Sequence, residues 1–239
     1  NITAEDGPAR LELSVVMPCL NEELTVGVCV EKAVRTMREL GIVGEVVIVD
    51  NGSTDRTREV AEAAGARVVR HELRGYGNAL RRGFDEAQGR YILMGDADDS
   101  YDFTQLGRFV ERLRGGAELV MGNRLKGEIR PGAMPWHHRW IGNPVLSGLL
   151  NLIFRTGAGD CHCGLRAFTK DAYRRMNLQM PGMELASEIV IKSAKAGLRP
   201  GYRWLVRRSG GSGLPPRLAD EPERQVEAGF GLADELWRR

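Results

Sequence analysis

The sequence predicts an α/β fold, a mostly parallel twisted sheet flanked by helices, on three observations. Short apolar runs alternate with helical patterns through the first half: Leu13–Met17, Val46–Val49, Arg67–Arg70 and Tyr91–Met94 read as strands. Such alternation builds βαβ units with right-handed crossovers. Val46-Val47-Ile48-Val49 is continuously apolar and β-branched, as a central parallel strand covered on both faces must be. Each run also closes on polar residues, at Asn21-Glu22, Asp50-Asn51, Gly75-Tyr76-Gly77-Asn78 and Asp96-Ala97-Asp98. In a parallel sheet these four ends share one edge, and open α/β sheets bind ligands outside the carboxyl ends of their strands.

Taken in order, the first strand is expected to end at Pro18. An amphipathic helix follows from about Leu24 to Leu40, with Val28, Ala33, Val34, Met37 and Leu40 as core positions and Gly41 and Gly44 closing it. The second strand runs into Asp50 and a helix reaching Ala64; the third leads through Arg74-Gly75-Tyr76-Gly77-Asn78 into a helix ending near Ala87. The fourth stops at Gly95 and opens on three carboxylates within four residues, Asp96, Asp98 and Asp99. A fifth strand, Leu119–Met121, precedes a long Gly- and Pro-rich connection. Helices over Lys170–Met176 and Glu184–Ala196, with Gly197 past the end of the second, and a strand over Gly201–Val206 complete the expected sheet.

Bulk properties exclude several function classes. The formal net charge of +2 gives no reason to expect a nucleic-acid partner. The Arg pairs at Arg81-Arg82, Arg174-Arg175, Arg207-Arg208 and Arg238-Arg239 read as solvated helix faces and ends. The four cysteines, at 19, 29, 161 and 163, form no Cys-x-x-Cys pair and read as reduced thiols of a cytoplasmic protein. The most apolar stretch, Val145–Phe154, is far short of the ~20 residues of a membrane span. The chain opens on Asn rather than Met, as a trimmed chain would.

At the shared edge, Asp96 and Asp98 are spaced to turn toward one hard cation, which takes oxygen ligands and shares them with phosphates. Asp, Asn, Ser and Gly also cap helices and form turns; any single loop is explained that way, but four at one edge are not. A nucleotide there needs a carboxylate or amide for base and ribose, Gly-rich backbone for close approach, and a metal for the diphosphate. Neither a P-loop nor a first-turn G-x-G-x-x-G is present.

Six short motifs carry a resemblance. They are Met17-Pro18-Cys19-Leu20-Asn21-Glu22, Val49-Asp50-Asn51-Gly52-Ser53-Thr54-Asp55, Gly75-Tyr76-Gly77-Asn78-Ala79, Asp96-Ala97-Asp98, Gly122-Asn123-Arg124 and Cys163-Gly164-Leu165-Arg166-Ala167-Phe168. In this order they resemble the inverting family 2 glycosyltransferases of GT-A fold, in particular the polyprenol- and dolichol-phosphate sugar synthases.

The resemblance implies one GT-A domain over residues 1–206, with a nucleotide-sugar half at about 13–121 and an acceptor half at about 122–206, followed by a basic loop and amphipathic helix over 207–239. It implies a nucleotide-sugar site of Pro18, Cys19, Asn21, Glu22, Asp50, Asn51, Gly52, Ser53, Gly77, Asn78, Asp96, Ala97 and Asp98. Mg2+ or Mn2+ would sit on Asp96 and Asp98, with Ser100 standing where the family often has Gln. Asp98, Arg124 and Arg139 would be catalytic. Arg207 and Arg208 would take the place of a basic loop that closes over the donor. The second half looks more like polyprenol-phosphate glucose synthases than mannose synthases, which favours a UDP-sugar over GDP-mannose.

The long connection holds Trp136-His137-His138-Arg139-Trp140 ahead of an apolar helix expected from Asn143. That helix suits a core as well as a membrane interface; the adjacent aromatic and cationic residues favour a lipid headgroup surface. Arg124, Arg130, Trp136, His137, His138, Arg139, Trp140 and Arg166 are thus the candidate acceptor-binding residues for a polyprenyl phosphate. The expected location is peripheral, on the inner face of the membrane. The terminal helix, with Val226, Phe230, Ala233 and Trp237 on one side, would dock on the domain, lie on the membrane or pair copies into a homo-oligomer. The rival activity is transfer to a saccharide or soluble metabolite, whose hydroxyl would need a base such as Glu184, Glu188 or Asp160. A non-catalytic nucleotide-sugar module and a nucleotidyltransferase are the remaining alternatives on this fold.

Overall fold

The computed structural model describes residues 11–123, 163–200 and 204–205. The expectations for Arg124, Arg130, Trp136, His137, His138, Arg139, Trp140, Asp160, Cys161, the helix from Asn143 and the chain from 207 onward lie outside the described residues.

Among the described residues seven strands form one sheet: β1 (Leu13–Cys19), β2 (Gly44–Asp50), β3 (Arg67–Arg70), β4 (Tyr91–Met94), β5 (Leu119–Asn123), β6 (Arg166–Thr169) and β7 (Trp204–Leu205), in the order β3-β2-β1-β4-β6-β5-β7. The pairs β1·β2, β2·β3, β1·β4 and β5·β7 are parallel. β6 runs antiparallel between β4 and β5, pairing Ile92 with Phe168 and Val120 with Ala167. The sheet is mostly parallel and helix-flanked, as expected, with one reversed strand inserted from the far side of the long connection.

The apolar strands are continuous because both faces are covered. Side chains alternate in β1: Val15 and Met17 join the core beneath α1 (Val26–Glu39) and α4 (Leu106–Arg114), while Val16 joins the opposite core with Leu80, Phe84 and Ile189. That second core lies under α3 (Tyr76–Glu86), α5 (Lys170–Met176) and α6 (Leu185–Lys195). A short helix α2 (Thr57–Ala63) adds Ala61 to the first core.

Two expectations need correction. β1 does not stop at Pro18 but continues to Cys19, with Pro18 opposite Val49. Val16 O accepts from Gly95 N, so the next residue facing the same side is Pro18, and β4 ends its pairing at Val16. The missing proline N–H therefore deprives no partner. In α1, Val28 and Leu40 are exposed, and Val26, Cys29, Val30, Ala33 and Met37 are the buried face. Ala33, Val34 and Met37 pack on the core as read from the sequence, and Cys29 is buried with them as an apolar residue.

Candidate active site

The loops after β1 and β2 are zipped together by reciprocal hydrogen bonds. Asn21 N donates to Ser53 Oγ at 3.0 Å, and Asn21 Oδ1 accepts from Thr54 N at 2.9 Å. Glu22 N donates to Thr57 Oγ1 at 2.7 Å. Asn21 adopts a left-handed φ of 59° to make this pairing, a conformation asparagine tolerates better than most residues. Asp50 is buried at the end of β2, where its Oδ1 accepts from Ser53 N at 2.9 Å and its Oδ2 lies 3.8 Å from Arg58 Nε.

Asn51 ties in the third loop. Its Nδ2 donates to His71 O at 3.0 Å and Leu73 O at 2.9 Å, and its Oδ1 accepts from Gly75 N at 2.9 Å. The start of α3 in turn presses on the 180–182 backbone. Asn78 N donates to Pro181 O at 2.9 Å. A Cβ on Gly75, whose φ is 130°, would meet Pro181 O at 2.5 Å, and one on Gly77 would meet Gly182 O at 2.8 Å and also Met180 O. The glycines serve close approach of backbone to backbone.

The loop after β4 carries the acidic cluster. Asp96 Oδ1 accepts from the Tyr76 hydroxyl at 2.8 Å, and Asp98 Oδ1 accepts from Ser100 N at 2.9 Å. Cys29 Sγ donates to Ala97 O at 3.4 Å, fastening the loop to α1. Asp99 is buried, has a φ of 57°, and pairs with Lys32 Nζ at 2.6 Å. It braces the loop against α1, so of the three carboxylates Asp96 and Asp98 are the pair most available to a ligand. Across the edge, burial pushes the Glu22 carboxyl up to about 7, helped by the negative charges of Asp98, Asp96 and Asp55, against a lowering bond from Thr25. Burial, then Glu22, Cys29, Asp50 and Asp96, holds the Cys19 thiol well above its usual range, which leaves it a packing residue rather than a nucleophile.

Asp96, Asp98 and Glu22 are hard oxygen donors facing one crowded, negatively charged edge. That chemistry fits Mg2+ or Mn2+ and would be relieved by either. Among the described residues no three such side chains converge at ligand distance. Ser100 joins this loop through its backbone amide.

Other residues singled out in the sequence have different surroundings. Arg166 is fully buried, its Nε donating to Cys163 O at 2.8 Å and its Nη1 to Ala186 O at 2.6 Å. It joins the start of β6 to α6, and its charge acts on Tyr76 beside Asp96. Glu188 accepts from Gln179 N, Met180 N and Lys192 Nζ. Burial raises its pKa, but these donors outweigh it and hold the carboxyl below its usual range. Glu184 is exposed and accepts from Gly182 N. Both carboxylates are engaged by the turn before α6. Tyr76, Lys32 and Thr57 took no role in the sequence reading; Tyr76 stood inside a motif, but nothing local marks its reach to Asp96. Cys19, Cys29 and Cys163 are buried.

Agl6, a low-salt glycan biosynthesis hexosyltransferase of Haloferax volcanii, is 44% identical over 82% of the chain, which spans about half (48%) of that protein's length. A dolichyl-phosphate hexose transferase of the same organism is 31% identical over 78% of each chain. Among solved structures, glucosyl-3-phosphoglycerate synthase from Mycobacterium tuberculosis, in complex with Mn2+, UDP and glucosyl-3-phosphoglycerate, superposes with a TM-score of 0.63 at 25% identity, covering 92% of this chain and 78% of that one. The glycosyl transferase family 2 profile matches residues 14–176. Those residues run from β1 through α5 and include every described carboxylate of the edge, and the chain belongs to glycosyl transferase family 2, with a GT-A fold.

Proposed function

We propose that this glycosyltransferase moves a hexose from a UDP-sugar to a polyprenyl phosphate at a membrane surface, with inversion at the anomeric carbon. The observation that carries the donor half is the pair Asp96 and Asp98 at the end of β4, opposite Glu22 and beside the interlocked loops of Asn21, Asp50 and Asn51. The dolichyl-phosphate hexose transferase, alike over most of both chains, supports the acceptor class.

In this reading Asp50, Asn21 and Ser53 shape the pocket for base and ribose, and Asp96 and Asp98 would hold Mg2+ or Mn2+. The bound cation supplies neutralisation of the charge that builds on the leaving nucleoside diphosphate. An acceptor phosphate oxygen attacks the anomeric carbon as the bond to the donor diphosphate breaks. That oxygen is already anionic and needs no protein base. Arg124 and Arg139 are assigned to charge stabilisation, and Arg130, Trp136, His137, His138 and Trp140 to the acceptor. Among the described residues no helix is long and apolar enough to cross a membrane, and we assign membrane contact to the chain around 136–154.

A second reading, transfer to a soluble phosphorylated acceptor, is favoured by the glucosyl-3-phosphoglycerate synthase neighbour. The two are separated by incubating a panel of UDP- and GDP-sugars, with and without Mn2+, with a short polyprenyl phosphate or with 3-phosphoglycerate. Lipid-linked sugar is the expected product. Product from the soluble acceptor alone would overturn the proposal.

A further inference from the structure

Asp96 sits in a slot with two different walls. On one side the Tyr76 hydroxyl donates to Oδ1 at 2.8 Å. On the other is the Gly164 backbone: a Cβ at Gly164 would lie 3.0 Å from Asp96 Oδ2 and 2.8 Å from the Tyr101 oxygen, which accepts from Gly164 N at 2.7 Å. Tyr76 is itself flanked by two tethered residues, Gly75 and Asn78. Asn51 Oδ1 accepts from Gly75 N, and Pro181 O accepts from Asn78 N, each at 2.9 Å. A phenol is neutral at physiological pH and can donate, whereas an ionised carboxylate can only accept. The contact therefore has one sense, and it commits one Asp96 oxygen before any ligand arrives.

We propose that Tyr76 is a positioning residue, holding the Asp96 carboxylate in the orientation in which it receives a divalent cation and the nucleotide diphosphate. The inference rests on the donor-site reading above. Hydrogen bonds from behind a ligating group fix its orientation in advance and remove an ordering cost from binding. Tyr76 reaches Asp96 from the first turn of α3, so the same contact transmits the set of the Asn51-held loop to the acidic cluster.

A matched control lies in α5. The Tyr173 hydroxyl donates to Asp85 Oδ1 at 2.7 Å, at the far end of α3 from the site. Tyr173→Phe thus removes a similar tyrosine–aspartate bond from the same helix without touching the acidic cluster.

The test titrates Mn2+ into the full chain in the presence of UDP, following free Mn2+ by electron paramagnetic resonance, with thermal midpoints measured in parallel. Tyr76→Phe is expected to weaken Mn2+–UDP binding about tenfold, while Tyr173→Phe binds as the wild type at a comparable midpoint. In an Asp96→Asn background, Tyr76→Phe should add nothing. Wild-type affinity in Tyr76→Phe overturns the proposal, as does an equal loss in Tyr173→Phe, which would mark a general effect of destabilising α3. A wild-type protein that binds neither Mn2+ nor UDP would defeat the donor-site reading and this inference with it; binding by wild type and Tyr76→Phe alike defeats the inference only.

Discussion

Gly77→Ala sets two effects of known size against each other. Gly77 is the second residue of α3, and replacing a helix glycine with alanine ordinarily stabilises by about 0.5–1 kcal/mol. Here the new methyl would lie 2.8 Å from both Gly182 O and Pro181 C, and against Met180 O. All three are backbone atoms, and the loop that carries them is fastened by Asn78 N to Pro181 O and by Glu188 to Gln179 N and Met180 N. Overpacking against atoms that cannot swing aside costs about 1–3 kcal/mol, so sterics win. The thermal midpoint should fall by about 3–8 °C after the propensity gain is subtracted. Gly107→Ala is the comparison. That residue is second in α4, and its added Cβ would meet only Leu40 Cδ1, the end of an exposed side chain, at 2.5 Å. Leu40 can turn away, so Gly107→Ala should hold or raise the midpoint. Differential scanning calorimetry of both variants at one pH decides the matter. A Gly77→Ala protein as stable as Gly107→Ala would refute the close-approach argument and, with it, the placement of the α3 N-terminus that aims Tyr76 at Asp96.

Three further outcomes follow from the same geometry. Glu22 is pushed from an ordinary value near 4.5 up to about 7, so the folded state holds its proton more tightly than the unfolded state. Its contribution is full below pH 4.5 and is lost as pH rises through 7. In metal-free buffer Glu22→Gln should therefore stabilise by about 2 kcal/mol at pH 8, allowing for partial solvent screening, and by nothing at pH 4; equal gains at both pH values would contradict the assignment. Asp98→Ala should keep a near-normal circular dichroism spectrum and melting curve, since its one described bond is to Ser100 N, yet abolish Mn2+-dependent retention of UDP in equilibrium dialysis. Unchanged retention would remove Asp98 from the cation site. Arg166→Met should lower the unfolding free energy, read from denaturant titration, by about 2–4 kcal/mol, because the buried carbonyls of Cys163 and Ala186 lose their donor. A variant of full stability that had lost only acceptor binding would assign Arg166 to the acceptor instead.

Much of the site could be read directly from the chain. Asn21, Asp50, Asn51, Asp96 and Asp98 stand at strand ends, and strand ends follow from local apolar pattern and turn chemistry. Their division of labour could not be read. Nothing in the sequence shows what Asn51 and Asp99 hold. In the fold, Asn51 is occupied by three main-chain groups of the next loop, and Asp99 by Lys32 from α1. Gly77 and Asn78, which the resemblance places in the nucleotide-sugar site, also pack on the 180–182 backbone, which arrives from more than 100 residues away. A hydrogen-bonding side chain satisfied by a distant segment has the same sequence signature as one left for a ligand.

The sequence by itself determined the alternation of strand and helix, the parallel direction of the first four strands and the edge on which the acidic residues collect. All three depend on short-range periodicity and on the one hand allowed to a βαβ crossover. Tertiary structure decided the rest. It set β6 antiparallel between β4 and β5, which carried Arg166 into the core, and it turned α1 so that Cys29 and Lys32 hold the loop of Asp96 and Asp98. Those outcomes depend on which surfaces meet across long sequence separations, where the gain from burial and backbone pairing is shared by residues that no local pattern connects.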